Sequence, residues 1–147
     1  MEVVITATIL AVLALGALPM AELSVKRTRE IEFRESLREI RTAIDAYKRA
    51  VDEGRVVRLA NETGYPKTLR LLVDGVPDIK TPDKAKIYFL RRLPRDPFAA
   101  RGVDAEESWG KRSYASPPDA PQEGDDVYDV YSLSADIGLN EVPYRLW

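Results

Sequence analysis

Carboxylates are the only abundant reactive side chains of this chain. Its 147 residues include no histidine and no cysteine. Without histidine the commonest general base and transition-metal ligand is missing. Without cysteine there is no thiol nucleophile, thiolate metal site or disulfide. Catalysis would fall to carboxylates, Lys, Tyr or Ser, and this argues against an enzyme. Glu106 and Glu107 would suit glycoside chemistry only with carboxyls ~5–10 Å apart on one substrate, and adjacent residues rarely converge that way. Two acidic features have clearer chemistry. Asp125, Asp126, Asp129, Asp136 and Glu141 are hard oxygen donors of the kind calcium prefers, although they read more simply as solvated acidic loops. Glu2 opens the run MEVVITATILAVLALGALPMA, after which no charge occurs before Glu22. An ionised carboxylate there is costly inside a bilayer unless it meets an opposite charge or lies in the headgroup layer.

The element that positions Glu2 is the apolar run itself. Val3 to Ala21 is 19 residues, which as a helix reaches ~28 Å, close to the ~30 Å hydrocarbon core. A cleaved signal peptide fits less well, because no Lys or Arg precedes Lys26 and Pro19 would stand three residues before the cut. A buried core helix is the remaining alternative. Pro19 lacks an amide hydrogen and would clash with the Leu15 carbonyl, so a kink is expected there, softened further by Gly16. Lys26, Arg27 and Arg29 follow the span, and on the positive-inside rule alone they would lie in the cytoplasm.

The run passes without a turn signal into an amphipathic segment. Phe33, Leu37, Ile40, Ile44, Tyr47 and Val51 step by 4, 3, 4, 3 and 4, one apolar stripe on a helix. Arg34, Glu35, Arg38, Glu39, Arg41 and Lys48 lie between them as a wet face, with Glu30 attracting Arg34. Gly54 is the expected stop. Pro66 suits the first position of a short helix that turns Leu69, Leu72 and Val73 inward and ends at Gly75. Thr81-Pro82-Asp83 has the form of another helix start, and Ile87 to Leu93 fits helix or strand. Residues 99–108 and 116–126 read as loops. Lys111–Ala115 and Val127–Leu133 read as strands, the second with Val127, Asp129 and Tyr131 on one face and Tyr128 and Val130 on the other. Trp109 and Trp147 read as packing residues. The length suits one domain. A net charge of −2, with both signs mixed along the chain, argues against nucleic acid as a partner. The expected class is α+β, a long N-terminal helix packed on a small antiparallel C-terminal sheet. Residues 1–21 form the apolar half-helix and 22–147 the head, with 22–53 its amphipathic helix and 54–147 its loop, short helix and sheet.

These residues resemble the type IV pilin-like family. Glu2 and Pro19 are seventeen apart, the spacing that family shows between its Glu and its kinking Pro. Gly64-Tyr65-Pro66-Lys67-Thr68-Leu69 is similar to the stretch opening the second helix of major pseudopilins. Leu93-Pro94-Arg95-Asp96-Pro97-Phe98 resembles their Pro-x-Asp-Pro loop. Trp109-Gly110, Tyr114 and Tyr128-Asp129-Val130-Tyr131-Ser132 resemble the hairpin that follows. The order holds over nearly the whole chain, and the lack of Cys leans toward type II secretion pseudopilins rather than type IV pilus subunits. The resemblance implies a subunit of a periplasmic pseudopilus that drives protein export. It implies a single-pass protein of the bacterial inner membrane, with the head in the periplasm. It places the leader cut by the prepilin peptidase, and the first mature residues, before Met1. Its implied partners are further copies of the chain, minor pseudopilins and an inner-membrane assembly platform. Glu2 and Pro19 become assembly residues, with Glu2 pairing with the N-terminal amine of a neighbouring subunit. The loop after the Tyr-Ser-Leu strand would hold calcium, with Leu133 offering a carbonyl and Asp136 a carboxylate. A membrane-tethered binding domain that never polymerises is the competing expectation.

Overall fold

The structure is a computed structural model that describes residues 2–147; the side chains of Glu2 and of residues 15–19 lie outside the described set. Expectations resting on the side chains of Glu2, Gly16 and Pro19 therefore fall outside it too. Helix α1 runs over Glu2–Asp52, about 75 Å of helix at ~1.5 Å per residue. The apolar stripe drives its second half onto the head. Phe33, Leu37, Ile40, Ile44, Tyr47 and Val51 are all buried, joined by Ala43 and Ala50. Gly54 ends the helix as expected. At φ +69° it lets its own amide reach the Val51 carbonyl and the Arg55 amide reach that of Ala50, each at 2.9 Å, the paired bonds of a Schellman stop.

The short helix α2 spans Arg70–Asp74, later than Pro66 suggested. Pro66 is instead buried upstream of it, and its carbonyl accepts the Val127 amide at 2.7 Å. That long-range bond ties Pro66 to the C-terminal third of the chain. Leu69 and Leu72 are fully buried, and Gly75 closes the turn through its amide to the Leu71 carbonyl.

Strands β1 (Val76–Pro77) and β2 (Lys86–Ile87) pair antiparallel. Thr81-Pro82-Asp83 starts no helix; it forms the loop of this hairpin. The Thr81 hydroxyl donates to the Asp78 carbonyl and accepts the Ala85 amide, using up the group that would have capped a helix. Strands β3 (Trp109–Arg112) and β4 (Asp129–Ser132) pair with Trp109 opposite Ser132 and Gly110 opposite Tyr131. Gly110 is required there, because a Cβ would run into the Tyr131 ring. Among the described residues the strands form two separate two-stranded ladders rather than one sheet. Only Ile87 of the ambiguous stretch is in a strand. In β4, Val130 and Ser132 face inward while Asp129 and Tyr131 are half-buried. Val127 is also buried, but it precedes the strand and so escapes its alternation. The class is α+β, with α1 lying against β4.

Candidate functional site

The most unusual surface of the chain is the first half of α1. From Val3 to Ala14 every side chain is exposed, with Val3 at 81%, Ile5 at 59% and Leu13 at 64%. Met20, Leu23 and Val25 continue the exposure. Scattered apolar residues on a surface are ordinary, but a contiguous band this long marks an interface. Among the described residues no helix is long and apolar enough to cross a membrane. The run Val3–Ala21 includes residues 15–19, whose side chains are outside that description.

The band gives way to the head at a set of side chains that continue the stripe backwards. Lys26 and Glu30 stand 7 and 3 residues before Phe33, in phase with it on the helix. Both hold the C-terminal segment. The Lys26 ammonium donates to the Ile137 carbonyl at 2.7 Å. One carboxylate oxygen of Glu30, a buried residue, accepts the Leu139 amide at 2.7 Å and the Tyr144 hydroxyl at 2.9 Å. Burial, followed by the bond to Glu30, pushes the Tyr144 phenol well above its ordinary value. Farther along, the Arg34 guanidinium lies 4.3 Å over the Trp147 ring. Arg41 donates to an Asp129 carboxylate oxygen at 2.8 Å and to the Val130 and Trp147 carbonyls.

Arg34 stays exposed and Arg41 is half-buried, so both remain at the wet face while also reaching the C-terminal segment, and Glu30 turns to that segment instead of Arg34. The signal for Glu30 is present in the sequence: a charge in register with an apolar stripe needs a buried partner. Arg34 and Arg41 carry no such signal, because their partners lie about a hundred residues away.

The acidic cluster is dispersed. The Asp126 carboxylate accepts the Thr63 hydroxyl and the Tyr114 amide. Asp129 pairs with Arg41 and, at 3.8 Å, with Arg112. Calcium takes about six to eight oxygens, and around Leu133 and Asp136 two backbone carbonyls already have protein donors. The Asp136 carbonyl accepts the Tyr144 amide, the next carbonyl holds a lysine ammonium, and among the described residues no three acidic groups gather. Lys26 and Glu30 fasten this loop to α1. Glu30→Ala should lower stability by ~1–3 kcal/mol by stranding the buried Tyr144 hydroxyl and the part-buried Leu139 amide. A melting point that rises with calcium relative to chelator would mark a cation site on this chain, and coincident curves would count against one.

No protein-family model, curated protein or solved structure matches the chain.

Proposed function

We propose that the chain is a structural subunit of the pseudopilin kind, held in the bacterial inner membrane by the first half of α1 and able to pass into a periplasmic filament. The supporting observation is the continuity of α1. One helix carries a bare apolar half and a half that is clamped to a head, with no linker between them. A simple tether has no need of that rigid joint, since a flexible linker would serve. A filament subunit does need it, because the helix must fix where each head sits. The apolar half is covered by lipid before assembly and by neighbouring copies after it. The role is structural, and type II protein export is the process that such a filament serves.

The resemblance gives the decisive variant. Glu2→Ala is expected to leave the protein in the membrane fraction while abolishing filaments seen by cross-linking and electron microscopy. Normal filaments from the variant would refute the pairing role of Glu2. A wild-type protein that stays monomeric at every concentration would favour the non-polymerising tether.

A further inference from the structure

Beside the place where the apolar half of α1 meets the head there is an open cleft of about 780 Å³. One wall is α1 at Ala21, Glu22 and Val25; the other is the C-terminal loop at Ala135, Asp136 and Ile137. The loop is pre-shaped. The Gly138 amide bonds the Val142 carbonyl, the Glu141 amide bonds the Gly138 carbonyl, and the Tyr144 amide bonds the Asp136 carbonyl. Ile137 also bridges to Pro143. This small closed loop exposes Ile137 at 52% and Leu139 at 39%, with Val142 beside them at 37%.

The height of the loop along α1 is fixed. Lys26 holds Ile137 and Glu30 holds Leu139. At ~1.5 Å per residue, Lys26 stands about 7–8 Å beyond Ala21 and Glu30 about 13–14 Å beyond it. Side chains on a helix lean toward its N-terminus, which brings Ile137 nearer still to Ala21. The headgroup layer on each side of a bilayer is about 5–8 Å thick.

We infer that the Ile137 loop is a membrane-resting foot: with α1 inserted, the Ile137 side chain lies in the headgroup layer of the same bilayer and Leu139 at its outer edge. The inference rests on the membrane reading proposed above. The occupant is a phospholipid surface because any bilayer enclosing Val3–Ala21 puts its interface at this level of α1. The charges lining the cleft are balanced, Glu22 and Asp136 against Lys26 and Arg29. Contact is therefore driven by apolar burial and does not select anionic lipid. A foot of this kind limits how far the head can tilt about the helix, and it must lift when the subunit leaves the membrane.

The chain has no native cysteine, so single-cysteine spin labels report cleanly. Val12→Cys, Ile137→Cys, Leu139→Cys and Leu59→Cys are made in the full chain and reconstituted in phosphatidylcholine vesicles, with and without phosphatidylglycerol. Immersion is read from the relative accessibility of the label to oxygen and to a water-soluble nickel chelate. The expected order is Val12 deepest, then Ile137 at headgroup depth, then Leu139, with Leu59 fully aqueous. The Ile137 reading should be the same in both lipid mixtures. If Val12→Cys is immersed while Ile137→Cys is as aqueous as Leu59→Cys, the foot is refuted and the membrane reading stands. If Val12→Cys is itself aqueous, both fall. An Ile137 depth that follows lipid charge would overturn the apolar account.

Discussion

Phe33→Ala is expected to lower the stability of the folded head by about 3–5 kcal/mol, the usual range for removing a fully buried large aromatic. Phe33 has no exposed surface. Its ring lies 5.5 Å from Phe98, 5.7 Å from Trp109, 5.8 Å from Tyr144 and 5.8 Å from Trp147. The four aromatic partners come from three stretches far apart in sequence: the Leu93–Phe98 loop, β3 and the C-terminal turn. Such a site collapses poorly, because each neighbour is already fixed by another bond. The Trp109 indole N–H, for example, donates to the Pro94 carbonyl at 2.8 Å. The void would therefore persist, and a persistent cavity puts the loss at the upper end of the range. The near-ultraviolet circular dichroism of the full chain in detergent should lose its aromatic signal at a lower denaturant concentration, with the far-ultraviolet helix signal falling less. A loss below about 1 kcal/mol, well under the usual cost of such a truncation, would mean that Phe33 is not the keystone of the joint.

Phe33 also shows what could be read from the chain in advance. Local rules found it, since a period near 3.6 depends only on the helix. The same rules found the stop at Gly54, where a left-handed residue is needed, and the buried role of Trp109. They failed where a distant partner decides. Pro66 looks like a helix start until the Val127 amide takes its carbonyl. Thr81 looks like a cap until its hydroxyl is spent inside the β1–β2 loop. The five acids of the C-terminal third look like one cluster in the sequence, yet arginines, a threonine and backbone amides claim Asp126 and Asp129 separately. The candidate site divides the same way. The bare apolar half of α1 was legible because hydropathy is local. The helical period places Lys26 and Glu30 in line with the stripe, but the partners of the clamp were not legible, because each bond of Lys26, Glu30, Arg34 and Arg41 joins residues about a hundred positions apart.

Asp96→Ala should cost about 2–4 kcal/mol, and Asp96→Asn very little. Asp96 is fully buried within the Leu93–Phe98 loop. One of its carboxylate oxygens accepts the Ser132 hydroxyl at 2.6 Å and the other accepts the Phe98 amide at 2.8 Å, while its own amide donates to the Ser108 hydroxyl at 3.0 Å. The residue ties the loop to β4 and to the start of β3, and alanine would strand a buried hydroxyl and a buried amide at once. Its ionisation is a separate matter. Burial pushes the Asp96 carboxyl above its ordinary value of 3.8, against the opposing pull of the Ser132 and Phe98 bonds. A carboxyl raised in the folded state holds its proton more firmly there than in the unfolded chain. Its favourable contribution is fully present below 3.8 and is lost as pH rises toward the folded value. Asparagine keeps a polar group of the same shape and removes the ionisation, so Asp96→Asn should flatten this part of the pH profile and leave stability at neutral pH close to that of the native chain. The measurement is denaturant unfolding of the three proteins from about pH 3, below the ordinary carboxyl range, upward. If the asparagine variant falls as far as the alanine variant at neutral pH, the negative charge itself is what binds Ser132 and Phe98, and burial is not the dominant influence on Asp96.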